Sequence, residues 1–156
     1  MKTNVAVVPV LNRLLSVELT AVDLYWLQGR MAENWGYVRL AEKLVSEAAE
    51  ERGHAQMIID RLLFIEASPV FDRQTMAVGN TIDECFKVGM GFESAAAAAY
   101  RQGIKVCCDV GDEGSRLMLE RILVDTEEHV NWLESQLHLM DALGQAVYLQ
   151  TWIGAK

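Results

Sequence analysis

Apolar residues recur at three- and four-residue intervals along four long stretches of the chain, and this spacing is typical of amphipathic α-helices. Pro9 fits only the first turn of a helix, so the first stretch begins near it. The sequence Thr81-x-x-Glu84 is a capping box, which marks the start of the third stretch. The pattern predicts four helices, and they cover approximately residues 5 or 9 to 34, 38–64, 81 to 107–110, and 112–142.

The connections between these helices predict how they are arranged. Residues 65–80 contain Pro69 and Gly79, and this connection is too long for a tight antiparallel turn. It therefore predicts a crossover that runs along the length of a helical bundle. Gly144 is a residue type that commonly ends helices. The amphipathic tail that follows, residues 145–153, predicts a short fifth helix.

Length and composition fit one helical domain. The chain has 156 residues, of which 51% are hydrophobic, and it contains only two prolines. This length suffices for a single domain with a sizeable core. We predict an all-α fold with one domain over residues 1–156. Its four-helix bundle covers about residues 5–143, and its short C-terminal helix covers about residues 145–153.

Charge and cysteine content exclude several classes of function. The formal net charge is −8, which argues against nucleic acid and anionic membrane surfaces as partners. Cys85, Cys107 and Cys108 are odd in number and match neither a disulfide framework nor a zinc motif. No apolar run approaches the roughly 18 residues of a membrane span, and no signal-peptide cleavage site is evident. We expect a cytoplasmic protein.

The second predicted helix carries Glu51-x-x-His54, whose two side chains lie on one helix face, one turn apart. The same face is otherwise apolar, with Leu40, Leu44, Ala48, Ala55, Ile58 and Leu62. A charged pair buried there without a partner would cost several kcal/mol, so a partner is expected. For an isolated E-x-x-H motif the ordinary alternative is a solvated surface pair. Gly53 costs about 1 kcal/mol relative to alanine within a helix, which predicts that another group approaches it closely.

Every long helix has a polar residue near its midpoint on its apolar face. These residues are Glu18, Glu51 with His54, Glu93, and His129. Each alone could be a satisfied polar group in the core, but carboxylates buried together repel one another unless a cation lies between them. Carboxylate oxygens combined with imidazole nitrogens suit iron or manganese. The pattern therefore predicts a metal site formed by these five side chains.

Several local stretches resemble those of bacterioferritins over nearly the full length of the chain. They are Leu11-Asn-Arg-Leu-Leu15 leading to Glu18, Arg30-Met31 with Asn34-Trp-Gly36, Glu51-x-x-His54-Ala55, Arg61-Leu-Leu-Phe64, and His129-Val-Asn-Trp-Leu-Glu134 followed by Gln136-Leu. The resemblance implies a ferritin-like bundle whose intrasubunit di-iron site oxidises Fe(II). It also implies self-assembly into a hollow cage of about 24 subunits, closed by symmetry, in which ferric mineral is stored.

The fourth helix departs from the family pattern, which has Glu-x-x-His there. Thr126 stands three residues before His129, where the glutamate is expected. Glu127 and Glu128 point about 100° and 200° away from Thr126 on a regular helix, so a π-bulge would be needed to bring either one in. Whether Glu127 rescues the site stays open at this point. We expect a weak second iron position and slow ferroxidase activity, with Asp125 as a possible supporting acid.

The position of the haem ligand is the second departure. Many bacterioferritins bind haem b at a two-fold interface through one methionine from each subunit, and this chain has Arg52 at that position. Arginine does not ligate iron under ordinary conditions. Met31 and Met57 are better explained as fillers of a core or an interface. The sequence therefore argues against haem b in a cage made only of this chain.

Two alternative functions follow from the same departures. The chain could be a non-catalytic structural subunit that co-assembles with an active, fully equipped second bacterioferritin subunit. A di-iron oxygenase or a rubrerythrin-like peroxidase would require a substrate pocket or a further metal-binding module. The chain has no CxxC motif and no length for another domain, which disfavours that third class.

Overall fold

The computed structural model describes residues 5–70 and 72–154, and it consists of helices joined by loops. The bounds of the helices are α1 Val7–Asn34, α2 Val38–Phe64, α3 Ile82–Val110, α4 Glu113–Leu143 and α5 Gln145–Gln150. The predicted all-α four-helix bundle is confirmed, with its long crossover between α2 and α3. The short fifth helix ends three residues earlier than predicted.

Helix α1 packs chiefly on α2, and α3 packs chiefly on α4. A short loop joins the members of each pair, which makes them antiparallel neighbours. At the end of α3, Gly111 adopts a φ of 70°, a left-handed conformation that glycine adopts at little cost. At its start, the Thr81 side chain accepts a hydrogen bond from the Glu84 amide at 3.2 Å, so the predicted cap is present.

The crossover is held along the length of α1 by side chains spaced eight residues apart. Asn12 accepts a hydrogen bond from the Val70 amide at 2.7 Å, and Thr20 accepts one from the Gln74 amide at 3.0 Å. Further along, the Gln28 side chain donates to the carbonyl of Val78 at 2.8 Å. The connection therefore runs along the outside of α1, as its length predicts.

Two apolar clusters fill the bundle, one toward each end. One cluster includes Leu24 and Leu133, and the other includes Leu15 and Ile122. The polar residues of interest lie between the two clusters on every helix. For example, Glu18 lies between Leu15 and Leu24 on α1. The fold thus creates a buried polar layer across the middle of the bundle.

Two further expectations can be compared with the structure. A Cβ atom added at Gly53 would meet no atom within 4 Å, so the predicted close approach to this glycine is wrong within the described chain. The backbone of α2 is exposed there, and the glycine has no packing reason inside this subunit. Among the described residues, no helix is both long and apolar enough to cross a membrane.

Candidate metal centre

The first group of potential ligands joins α1 and α2. Nδ1 of His54 lies 3.1 Å from Oε2 of Glu51 and 3.5 Å from Oε2 of Glu18. Ligand atoms of these three residues all lie within 4.8 Å of one another. The three-residue spacing of Glu51 and His54 places both side chains on the buried face of α2, opposite Glu18.

The second group joins α2, α3 and α4. Nδ1 of His129 lies 3.3 Å from Oε1 of Glu93 and 3.8 Å from Oε1 of Glu51. Ligand atoms of these three residues also lie within 4.8 Å of one another. Glu51 therefore takes part in both groups, with one oxygen toward His54 and the other toward His129. A carboxylate in this position can bridge two metal ions.

The burial of these groups and their hydrogen bonds indicate whether a cation fits among them. Glu18 and Glu93 are 2% exposed, and His129 is 6% exposed. Within the described chain, Oε2 of Glu18 and both ring nitrogens of His129 have no hydrogen-bond partner. Buried polar atoms without a partner are costly. A metal ion in the first group would satisfy Oε2 of Glu18, and one in the second group would satisfy Nδ1 of His129, which faces the carboxylates. The mixture of carboxylate oxygens and imidazole nitrogens fits iron or manganese.

Three further side chains orient the potential ligands. The hydroxyl of Tyr25 donates to Oε1 of Glu93 at 2.5 Å, and the hydroxyl of Tyr100 donates to Glu18. Oδ2 of Asp125 lies 3.2 Å from Nε2 of His54, which turns Nδ1 of that ring toward the carboxylates. Asp125 was predicted as a supporting acid. The two tyrosines were missed because they continue the apolar stripes of their helices.

The carboxylates and imidazoles strongly perturb one another's pKa values. Burial raises the pKa of Glu18 to about 8. Burial would lower the pKa of His54, but the neighbouring carboxylates of Glu18 and Glu51 raise it to about 11. In the same way, Glu51 and Glu93 outweigh burial and raise the pKa of His129 to about 9. Without a metal, protons on these groups supply the positive charge that the buried carboxylates require.

Thr126 contributes no ligand. Its hydroxyl is buried and donates to the carbonyl of Ile122, one turn back on α4, at 2.9 Å. Glu127 lies on the exposed surface, where it accepts a hydrogen bond from Arg101 at 2.6 Å. Glu128 is exposed as well. The helix is regular at this point, and neither neighbouring glutamate enters the polar layer.

Glu47 belongs to the polar layer although it was not among the predicted site residues. It is 5% exposed, and its Oε2 lies 3.6 Å from Nδ1 of His129. Its other carboxylate oxygen forms an ion pair with Lys43. A cavity of about 190 Å³ opens beside it, lined by Lys43, Glu47, Glu50, Asp125, Glu128, His129 and Trp132. Its spacing of four residues from Glu51 was the signal that could have identified it.

The position expected for a haem ligand lies outside the polar layer. Arg52 is exposed on α2. Met57 is partly buried and packs against one of the two apolar clusters, as expected for a filler. Met31 on α1 is likewise partly buried.

Comparisons with known proteins agree with this architecture. The family model described as a ferritin-like domain matches residues 9–143. A protein of Mycobacterium leprae named bacterioferritin is 38% identical over 143 residues, which are 91% of this chain and 90% of the relative. A protein of Neisseria meningitidis serogroup A named bacterial ferritin is 38% identical over 152 residues, which are 97% of this chain and 99% of the relative.

Proposed function

The chain belongs to the ferritin-like family and, within it, to the bacterioferritins, and from this membership we propose that it is an iron-storage subunit. In this proposal the subunit binds Fe(II) inside its bundle and oxidises it, with O₂ as the electron acceptor. Ferric mineral then collects in a hollow cage of about 24 copies, closed by symmetry, in the cytoplasm.

The position of Glu51 between the two imidazoles carries the proposal. One of its oxygens lies 3.1 Å from His54 and the other lies 3.8 Å from His129. Glu18, Glu51 and His54 would hold the first Fe(II), and Glu51, Glu93 and His129 would hold the second. A shared carboxylate keeps two metal ions close together, which is what joint oxidation of two Fe(II) ions by one O₂ molecule requires.

The proposed oxidation is slow because the second position is short of charge. Two Fe(II) ions bring four positive charges, whereas the predicted ligands include only the three carboxylates of Glu18, Glu51 and Glu93. Thr126, with its hydroxyl bonded to Ile122, adds no charge. Weaker binding of the second ion leaves fewer subunits with both ions in place. Arg52 stands at the position of the methionine that ligates haem in related proteins, and arginine does not ligate iron. The proposal therefore includes that a cage of this chain alone does not bind haem b.

The second candidate function is that of a structural subunit in a mixed cage. Two observations favour it, namely the hydroxyl of Thr126 in place of a carboxylate, and the exposed Arg52 in place of a haem ligand. In such a cage a second bacterioferritin subunit would supply the oxidation chemistry and the haem. This chain would form part of the cage wall and part of the inner surface that contacts the mineral.

Iron loading of the homo-oligomer distinguishes the two functions. Fe(II) is added in air to purified protein in steps, up to a large excess over subunits, and the iron that co-elutes with protein on size exclusion is measured. Storage predicts that iron remains in a large particle, accumulated slowly without any other subunit. If iron precipitates at the rate seen in buffer, and is retained only after co-assembly with an active bacterioferritin subunit, the structural function is correct instead.

A further inference from the structure

The polar layer contains a fourth buried carboxylate, that of Glu47. It lies on the same face of α2 as Glu51, one helical turn earlier, and is 5% exposed. With Glu18, Glu51 and Glu93, it raises the number of buried carboxylates near the two imidazoles from three to four. Four carboxylates would balance the charge of two divalent ions, but the ammonium of Lys43 offsets the fourth through its ion pair with Glu47.

Glu47 is directed toward the second position and not toward the first. Its Oε2 lies 3.6 Å from Nδ1 of His129, similar to the 3.8 Å between that nitrogen and Oε1 of Glu51. Both ring nitrogens of His129, a residue that is 6% exposed, lack a hydrogen-bond partner in the described part of the chain. Carboxylate oxygens of Glu93, Glu47 and Glu51 lie 3.3, 3.6 and 3.8 Å from Nδ1 of His129, and oxygen donors together with an imidazole suit a divalent ion.

Lys43 is the cation next to Glu47, and it affects how strongly Glu47 can bind a metal ion. Its ammonium forms an ion pair with Glu47, one turn along α2, and lies 5.1 Å from the centre of the Trp132 ring. Lys43 also lines the cavity beside His129. The ion pair uses one carboxylate oxygen of Glu47 and the other oxygen faces His129, so the ammonium competes with a metal ion through its positive charge and weakens metal binding there.

We propose that Glu47 is a ligand of the second metal position, supplying from α2 the carboxylate that Thr126 does not supply from α4, and that Lys43 competes with the metal for it. The second position then consists of Glu47, Glu51, Glu93 and His129. This inference rests on the proposed function, since it assumes two metal positions. It adds a ligand outside the Glu-x-x-His pattern and a cation that weakens binding there.

Metal titration of the purified oligomer tests the inference without any measurement of oxidation. Co(II) is titrated under argon into the unmodified protein, Glu47→Gln and Glu128→Gln, with calorimetry and visible absorption as readouts. Glu128 is the matched control, because it lines the same cavity but is exposed and belongs to none of the potential ligand groups. We expect two ions per subunit for the unmodified protein and for Glu128→Gln. Glu47→Gln should weaken the second ion by more than about tenfold and leave the first unchanged.

Two more variants separate a ligand role from a structural one. Lys43→Gln removes the competing ammonium and should tighten the second ion, but it should have no effect in a Glu47→Gln background. Adding Thr126→Glu to Glu47→Gln should restore the second ion, because it returns a carboxylate from α4. A packing role for Glu47 predicts neither the increase nor the rescue.

The outcomes that overturn the inference are distinct from those that overturn the proposed function. If Glu47→Gln binds two Co(II) ions as tightly as the unmodified protein, Glu47 is not a ligand, although the two positions exist. Binding of only one ion by the unmodified protein likewise overturns the role of Glu47 and leaves the first position intact. Absence of any site-specific Co(II) binding overturns the proposed function itself.

Discussion

Oε1 of Glu127 accepts a 2.6 Å hydrogen bond from Arg101 on the outside of the bundle, although Glu127 lies only two residues before the buried His129. The side chains of Arg101 and Glu127 are 58% and 50% exposed, so this ion pair is open to solvent. The carboxylate of Glu127 therefore lies outside the polar layer, although it would have to lie inside that layer to replace the missing carboxylate. Glu127 lies on a different face of α4 from His129.

We therefore expect Glu127→Gln to leave metal binding and oxidation unchanged. Breaking an exposed ion pair changes stability by less than about 1 kcal/mol and should not alter the polar layer. Co(II) titration and the time course of Fe(II) oxidation, each compared with the unmodified protein, provide the check. A loss of the second ion would mean that α4 changes its register when metal binds.

Haem binding should depend on position 52. The unmodified homo-oligomer, produced with excess haem, should show no stoichiometric Soret band, because Arg52 cannot ligate iron. Arg52→Met should introduce a band of about one haem per pair of subunits, with the methionine of each subunit as an axial ligand. Gln56→Met, an exposed position one turn further along α2, is the control and should remain free of haem. Bis-methionine haem spectra from the unmodified protein would contradict this prediction.

Assembly should involve the short fifth helix. Val147 on α5 is 53% exposed and Ile153 just beyond it is 55% exposed, whereas Tyr148 is anchored inside the subunit by a 2.9 Å hydrogen bond to Gln136. We expect a neighbouring subunit to cover these two side chains in the assembled particle. We expect light scattering to show a particle far larger than the 17.5 kDa subunit. Val147→Asp should destabilise that particle more than Gln150→Asp. A monomer or dimer at micromolar concentration would contradict the cage.

The helices could be predicted from the sequence because periodicity alone decides them, and the observed bounds of α2 are the predicted ones. Glu47 was harder to identify, because its spacing of four residues from Glu51 favours the buried face whereas its spacing of four residues from Lys43 favours a surface ion pair. That pattern usually marks an exposed helical ion pair, and only tertiary structure shows that Glu47 points inward. The prediction for Gly53 was wrong because a glycine within a helix suggests close packing, whereas a Cβ atom added here would meet no atom within 4 Å. Sequence patterns indicate which face of a helix is buried, but they do not identify the groups on other helices that pack against that face.

The contact between the end of α2 and the start of α4 should contribute measurably to stability. Nη2 of Arg61 lies 2.5 Å from Oδ1 of Asp112, which also accepts a hydrogen bond from the Ser115 amide at 2.9 Å. Asp112→Asn keeps an oxygen that can cap α4 but removes the charge opposite Arg61. We expect it to lower the free energy of unfolding by about 1 to 3 kcal/mol at neutral pH. Asp109→Asn, which disrupts an exposed pair with Lys105, should leave the free energy of unfolding unchanged within error.

The same variant should have a defined pH dependence. Burial would raise the pKa of Asp112, but hydrogen bonds from Ser115 and the charge of Arg61 hold it below the ordinary value of 3.8. A carboxyl whose pKa is lowered by folding stabilises the protein above its unfolded pKa, and this contribution is lost as the pH falls through the folded pKa. The difference between the unmodified protein and Asp112→Asn should therefore be constant near neutrality and shrink below about pH 4. Urea unfolding at several pH values measures it, and a difference that grows on acidification would contradict the assignment.

Restoring the carboxylate on α4 should convert slow oxidation into fast oxidation. Thr126 is buried on the face of α4 that carries His129, one turn away, so Thr126→Glu recreates Glu-x-x-His. Its charge would not be offset by Lys43, in contrast to that of Glu47, and we expect the second ion to bind about tenfold more tightly or better. Stopped-flow mixing of O₂ with protein holding about two Fe(II) per subunit should then show a larger rapid phase in Thr126→Glu than in the unmodified protein.

Thr126→Ser, which keeps a hydroxyl and adds no charge, should behave as the unmodified protein does. If the unmodified protein already shows a full rapid phase, the carboxylates present suffice, and Glu47→Gln should then abolish that phase whereas Glu127→Gln should not.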